Sequence, residues 1–277
     1  MSFPEWKELK NALAPGNISE YGLKESDYPM INADTPTFLR QPHARRPEDL
    51  KGADFAIVGS PYATGDYFGV SRKVWAAAAN RVRKVSIMYS GYLQEFDLDV
   101  LEHFKIVDFG DAEAEVEELT PENILEAQRA VETKVGQVLD AGVIPIVIGQ
   151  NSPCASYAVA KAIAERTRGN VGVVSLDEHW DLGYYRSTTL DDTTRDPRIA
   201  GHGNWKSKLY EWHKNVHPRN LVEIGERGML ESRKLVRGFL EKGAHFYPMW
   251  KVREIGIEQL CSELRYAYDG TDAVWVH

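Results

Sequence analysis

Only two cysteines occur in the 277 residues, Cys154 and Cys261, far apart and in no spacing suited to a metal. That argues against a disulfide framework and for a reducing compartment. The chain also lacks any run near the ~18 apolar residues of a membrane span. Its opening, MSFPEWKELKNALAPG, has no apolar core of the kind a secretory leader carries, so a cytoplasmic protein without a membrane anchor is expected. Excess positive charge is missing as well. Lys and Arg number 33 against 41 Asp and Glu, a formal net charge of −8. Nucleic acid and anionic membrane surfaces both select a basic face and are not expected partners; a cationic small molecule suits the balance better. With 43% hydrophobic residues, the chain can bury a full interior.

Short apolar runs alternate with helical stretches. Strands are expected at ADFAIVGSP (53–61), FKIVDFGD (104–111), VIPIVIG (143–149, read as buried), VGVVSLD (171–177), NLVEIGERG (220–228), AHFYPMW (244–250) and DAVWV (272–276). PENILEAQRAVETKVGQVLDAG is a helix with Thr120 as N-cap candidate and Gly142 at its end. SYAVAKAIAERTRG, ending at Gly169, SRKLVRGFLEKG and IEQLCSELRYAYDG are further helices. Residues 1–50 read as an extended arm with a short helix near Trp6–Leu13, and 51–277 as one domain. Strand and helix in repeated alternation imply an α/β fold with a mostly parallel sheet covered on both faces. Chemistry then collects at the carboxyl ends of the strands, where SPY, DFGD, GQNS, DEHWD and GERG fall.

Of these, VVSLDEHWDLGYY stands out. If strand geometry continues past Leu176, Asp177, His179 and Asp181 share one side. Two carboxylates and an imidazole form a site for a divalent metal, with Mn²⁺, Ni²⁺, Fe²⁺ and Zn²⁺ all chemically reasonable. A polar loop whose aspartates cap turns is the plain alternative. Glu178 then points the other way, free to pair with a base. Trp180 either packs in the core or meets a cationic substrate through its ring.

DEHWD resembles the D-A-H-x-D motif of the ureohydrolase family of arginase, agmatinase and related guanidino-compound hydrolases. FLRQPHARRPEDLKGADFAIVGSPYATG resembles the agmatinase-type opening, and VDFGD a strand ending in Tyr-Gly-Asp. IPIVIGQNS lies where the family has G-G-D-H-S, and GHGNWKSKL is similar to its His-Gly segment. NLVEIGERG resembles the strand ending in Gly-x-Arg, and TDAVWV the strand before S-x-D-x-D-x-x-D-P. The resemblance implies a three-layer α/β/α fold and a binuclear site of Mn²⁺ or Ni²⁺ whose bridging hydroxide attacks a guanidinium carbon. By position it makes Asp177, His179 and Asp181 metal ligands and His202 a proton shuttle. It places Asp191 and Asp192 in a loop that shapes the substrate pocket.

The departures from the family pattern are as informative. Asn151, a weaker metal ligand through its amide oxygen, stands at the histidine position of G-G-D-H-S and Gln150 at its aspartate, so one metal loses a strong ligand. VWVH stops at His277, where two further aspartate ligands would begin, and the C-terminal part of the fold is expected to be missing. Two readings lead, ahead of a third, a mononuclear metal or cation-binding module. One is a degenerate subunit, with partial or absent metal, assembled as a homo- or hetero-oligomer with a competent paralogue, as in heteromeric hydrolases of the metformin-hydrolase kind. The other is an active binuclear hydrolase, acting on agmatine, guanidine or a biguanide-like compound, seen as a truncated chain.

Overall fold

A computed structural model of the chain describes residues 28–63, 71–114, 120–150, 153–183, 196–201 and 203–277. The expected helix near Trp6–Leu13 lies outside them. The described strands in chain order are β1 (Met30–Asn32), β2 (Thr35–Pro36), β3 (Phe55–Ser60), β4 (Tyr92–Leu93), β5 (Leu98–Asp99), β6 (Ile106–Asp111), β7 (Ile144–Gly149), β8 (Val171–Leu176), β9 (Val216–Ile224), β10 (His245–Tyr247) and β11 (Ala273–Val276). They fall into two compact units, the first holding β1–β7 and the second β8–β11.

In the first unit, β3 runs between β6 and β7 in a parallel sheet, with two small antiparallel pairs, β1–β2 and β4–β5, beside it. Residues 28–50 hold β1, β2 and two 3₁₀ turns, Phe38–Arg40 and Pro47–Leu50. Its interior is Leu50, Ala56, Ile57, Val58, Val107 and Phe109, all essentially inaccessible. One ion cluster pins this unit. Arg83, on the helix Ala78–Ser86, donates to both oxygens of Asp108 at 2.8 and 2.9 Å and also to Asp111. Asp108 accepts two further backbone N–H bonds, from Phe38 at 2.8 Å and Gly110 at 3.0 Å. A buried carboxylate is tolerable only when so fully partnered. Contrary to the expectation of a buried run, β7 exposes Ile144 and Ile146, because it pairs with β3 along one edge.

In the second unit the order is β10-β9-β8-β11, every pair parallel. Val174, Val222 and Ile224 pack against Val252, Leu260 and Ala267 of the helices Met249–Glu263 and Arg265–Tyr268. A side chain at Gly172 would run into the carbonyl of Ala267, so the helix can approach β8 only over a glycine. Alternation turns Val173, Ser175, Leu221 and Glu223 to the opposite face. There the helix Trp205–Trp212 packs, with Trp205, Lys206 and Leu209 buried.

Several boundaries differ from expectation for identifiable reasons. The helix at Pro121–Asp140 forms as predicted, Thr120 Oγ1 accepting the N–H of Asn123 at 3.2 Å. The helix expected to reach Gly169 stops at Arg166, and Asn215 Nδ2 donates to the carbonyls of Ala164, Thr167 and Gly169 at its frayed end. AHFYPMW is not all strand: Pro248 ends β10, and Met249 and Trp250 open a helix. That helix breaks at Gly256. No helix among the described residues is long and apolar enough to cross a membrane.

The Arg83 cluster gives a first prediction. Arg83→Met strands Asp108 in the interior and lowers stability by about 3–5 kcal/mol, measured by urea unfolding. A loss under about 1 kcal/mol would show that the carboxylate finds another partner.

Candidate functional site

Strand geometry does not run on through DEHWD. β8 ends at Leu176, and Asp177 Oδ1 turns to accept the N–H of His179 at 2.9 Å. Four residues later Asp181 sits at φ 51°, in the left-handed region. The alternation that would set Asp177, His179 and Asp181 on one side is thus broken twice, first by an Asx turn and then by a left-handed residue. The Asp181 carboxylate is buried and accepts the indole N–H of Trp205 at 2.8 Å, and its own N–H donates to Glu231 Oε1 at 3.0 Å. Glu178 is exposed and lies 3.5 Å from Arg227. Trp180 is 1% exposed and packs on Phe246, ring centroids 5.0 Å apart; its indole offers no surface to a substrate. Asn151, Asp191, Asp192 and His202 lie outside the described residues.

The charged groups that do meet at this end of the sheet come from elsewhere. Lys206 Nζ donates to both carboxylate oxygens of Glu223 at 2.7 and 2.8 Å, and neither side chain reaches solvent. β9 carries Glu223 in register with Ser175 of β8, on the face covered by the helix of Lys206. Beyond β9 the chain turns at Gly225, φ 100°, over the carbonyl of Asp177, a path that favours glycine. The turn delivers Glu226, 8% exposed, into a cleft of about 740 Å³ that Arg227, Phe246, Trp250 and Arg253 also line. Burial, reinforced by Glu223, pushes the Glu226 carboxyl up to about 9. Burial likewise raises Glu231 to about 7, and Glu223 to about 7 even against the Lys206 ammonium. His277 lies beside Trp205 and Trp275 with its Nε2 3.1 Å from Ser156 Oγ; burial lowers it to about 4.

None of Lys206, Glu223, Glu226 or Glu231 was singled out from sequence. One signal was available: Glu223 interrupts the apolar run NLVEI, and a carboxylate in a buried strand requires a base. The helix over GHGNWKSKL was also missed, although Trp205, Leu209 and Trp212 fall at i, i+4 and i+7.

A family model described as the arginase family matches residues 53–276. The chain belongs to the arginase family. Among curated proteins, the arginase of Brevibacillus brevis is 24% identical over 158 residues, which are 55% of this chain and 51% of that protein. The chain therefore spans about half the length of this relative. Among solved structures, proclavaminate amidino hydrolase from Streptomyces clavuligerus aligns with a TM-score of 0.68 at 23% identity, over 89% of this chain and 74% of that one. A formiminoglutamase from Trypanosoma cruzi, described with Mn²⁺, aligns with a TM-score of 0.62 at 23% identity, over 87% and 73%. These likenesses establish an arginase-like α/β fold with mostly parallel sheets, as expected for this member of the ureohydrolases.

The arginase fold implies metal ions, and the described residues do not fit them. Among those residues, no group of three or more His, Cys, Asp or Glu side chains could hold an ion. Asp181 presents an oxygen to an indole N–H and Asp177 presents one to a backbone N–H.

Glu226 yields a prediction with a definite sign. The folded chain keeps this proton up to about pH 9, whereas the unfolded chain releases it near the ordinary 4.5. Its contribution to stability is therefore present at acid pH and is lost as pH rises through about 9. Glu226→Gln removes that decline, so the stability advantage of the variant over the wild type grows with pH across this window. Urea unfolding at several pH values checks it, and parallel profiles would contradict it.

Proposed function

We propose that this chain is a subunit of a metal-dependent hydrolase that cleaves a guanidino-type C–N bond and releases urea or a guanidine-type product. In this reading its own metal site is degenerate. The chain works beside a competent paralogue in a cytoplasmic hetero-oligomer, in a structural or regulatory role, and any Mn²⁺ or Ni²⁺ it carries is partial. Substrates of the assembly are small cations such as agmatine, guanidine or a biguanide-like compound, in keeping with the acidic net charge. The observation that carries the reading is the fate of Asp181. Its carboxylate holds the Trp205 indole at 2.8 Å and so serves to dock a helix. Asn151 in place of the family's histidine points the same way.

In a competent member, bound metal supplies hydroxide at neutral pH; here that chemistry is assigned to the partner. The test compares the chain purified alone with the chain co-expressed with its paralogue. Alone it is expected to carry less than one transition-metal ion and to release no urea from agmatine or guanidine; with the paralogue, urea appears. Two tightly held ions per chain and urea release without a partner would overturn the proposal.

A further inference from the structure

The cleft beyond β9 and β10 is built on a loop whose backbone is fixed at three points. The N–H of Gly225 donates to the carbonyl of Tyr247 at 3.0 Å, that of Arg227 to the carbonyl of Glu178 at 3.2 Å, and that of Met249 to the carbonyl of Glu226 at 3.2 Å. These bonds hold Glu226 between the sheet end and the first turn of the helix Met249–Glu263. Glu226 is only 8% exposed and lines the cleft. Its carboxyl makes no hydrogen bond among the described residues, and Oε1 is buried without a partner. A buried polar group left in this state is costly, and a ligand that supplied the missing partner would relieve it.

The rest of the lining is cationic and aromatic. Arg227, Lys251 and Arg253 all line the cleft, and none of them pairs with Glu226. Arg227 lies 3.5 Å from Glu178 and Lys251 2.9 Å from Glu254, exposed pairs that hold their partners weakly. Arg253 has no ion pair among the described residues. Trp250 leaves 67% of its surface open, and Phe246, packed on Trp180, contributes a second ring to the lining. Burial keeps the proton on the Glu226 carboxyl at neutral pH. The cleft is therefore positive, in a chain whose formal net charge is −8.

We propose that this cleft binds a small organic carboxylate with an aromatic body, its carboxylate on the Arg253 guanidinium, its ring on Trp250 and a further oxygen on the Glu226 carboxyl. The planar fork of an arginine matches a carboxylate, and an open indole offers a flat apolar surface for a ring. A protonated Glu226 donates to a ligand oxygen that an ionised carboxylate would repel. Arg227 and Lys251 add positive potential, which attracts the anion and turns cations such as agmatine away. The site goes beyond the hydrolase reading and does not rest on it.

The test titrates the whole chain calorimetrically with 3-phenylpropionate, 3-phenylpropylamine and agmatine. The wild type is expected to bind 3-phenylpropionate with a dissociation constant on the order of 1 mM, and to bind neither amine. Arg253→Gln and Trp250→Ala, both at exposed positions, each weaken binding about tenfold without moving the thermal midpoint. Glu226→Gln keeps a donor in its amide and binds within about twofold of the wild type, whereas Glu226→Leu binds about tenfold more weakly. Absence of saturable 3-phenylpropionate binding, equal affinity for 3-phenylpropylamine, displacement by agmatine, or unchanged affinity in both Arg253→Gln and Trp250→Ala would overturn the proposal. Urea release plays no part in these titrations, so their failure leaves the degenerate-subunit reading standing, and the failure of that reading leaves the cleft.

Discussion

The ammonium of Lys206 lies against both carboxylate oxygens of Glu223, at 2.7 and 2.8 Å, with water excluded from both. Much at this end of the second unit follows from that contact. It fixes the start of the helix Trp205–Trp212 over β9. That places the Trp205 indole on Asp181 and the ring of Trp205 against Trp275 and His277. Buried pairs of this kind gain little over a well-packed apolar replacement, yet losing one partner costs about 3–5 kcal/mol. Such a pair is therefore better understood as a constraint on arrangement than as a source of stability. Here it constrains the helix that docks on Asp181 and Leu182.

The first unit uses the same device with different residues. Arg83 grips Asp108 from the helix Ala78–Ser86, and Asp111 joins the cluster at the end of β6. In both units a base from a covering helix reaches an acid near the carboxyl end of a parallel strand. Membership in the arginase family makes the contrast pointed. The family model matches residues 53–276, while in DEHWD Asp177 serves a turn and Asp181 docks a helix.

Much of the fold was legible, because parallel strands such as β3, β8 and β11 announce themselves as mainly apolar runs between turn residues. The Thr120–Pro121 start of its helix was legible for a local reason too, since capping is a matter of neighbouring residues. What escaped depended on partners distant in sequence. The helix over NWKSKL is polar enough to pass for a loop until Trp205 and Lys206 find Asp181 and Glu223. The geometry of Asp177, His179 and Asp181 turned on an Asx turn and one left-handed residue, which alternation cannot reveal. Glu178 did find its base, Arg227, across an exposed turn.

The central claim is that Asp177 and Asp181 serve a turn and a helix contact rather than a metal ion. Diffraction data collected from Mn²⁺-soaked crystals of the wild-type chain at the manganese absorption edge test it most directly. The account predicts no anomalous peak at Glu223 or among Asp177, His179 and Asp181, with Lys206 Nζ within hydrogen-bonding distance of both Glu223 oxygens. A manganese peak coordinated by Asp177, His179 and Asp181 would contradict it.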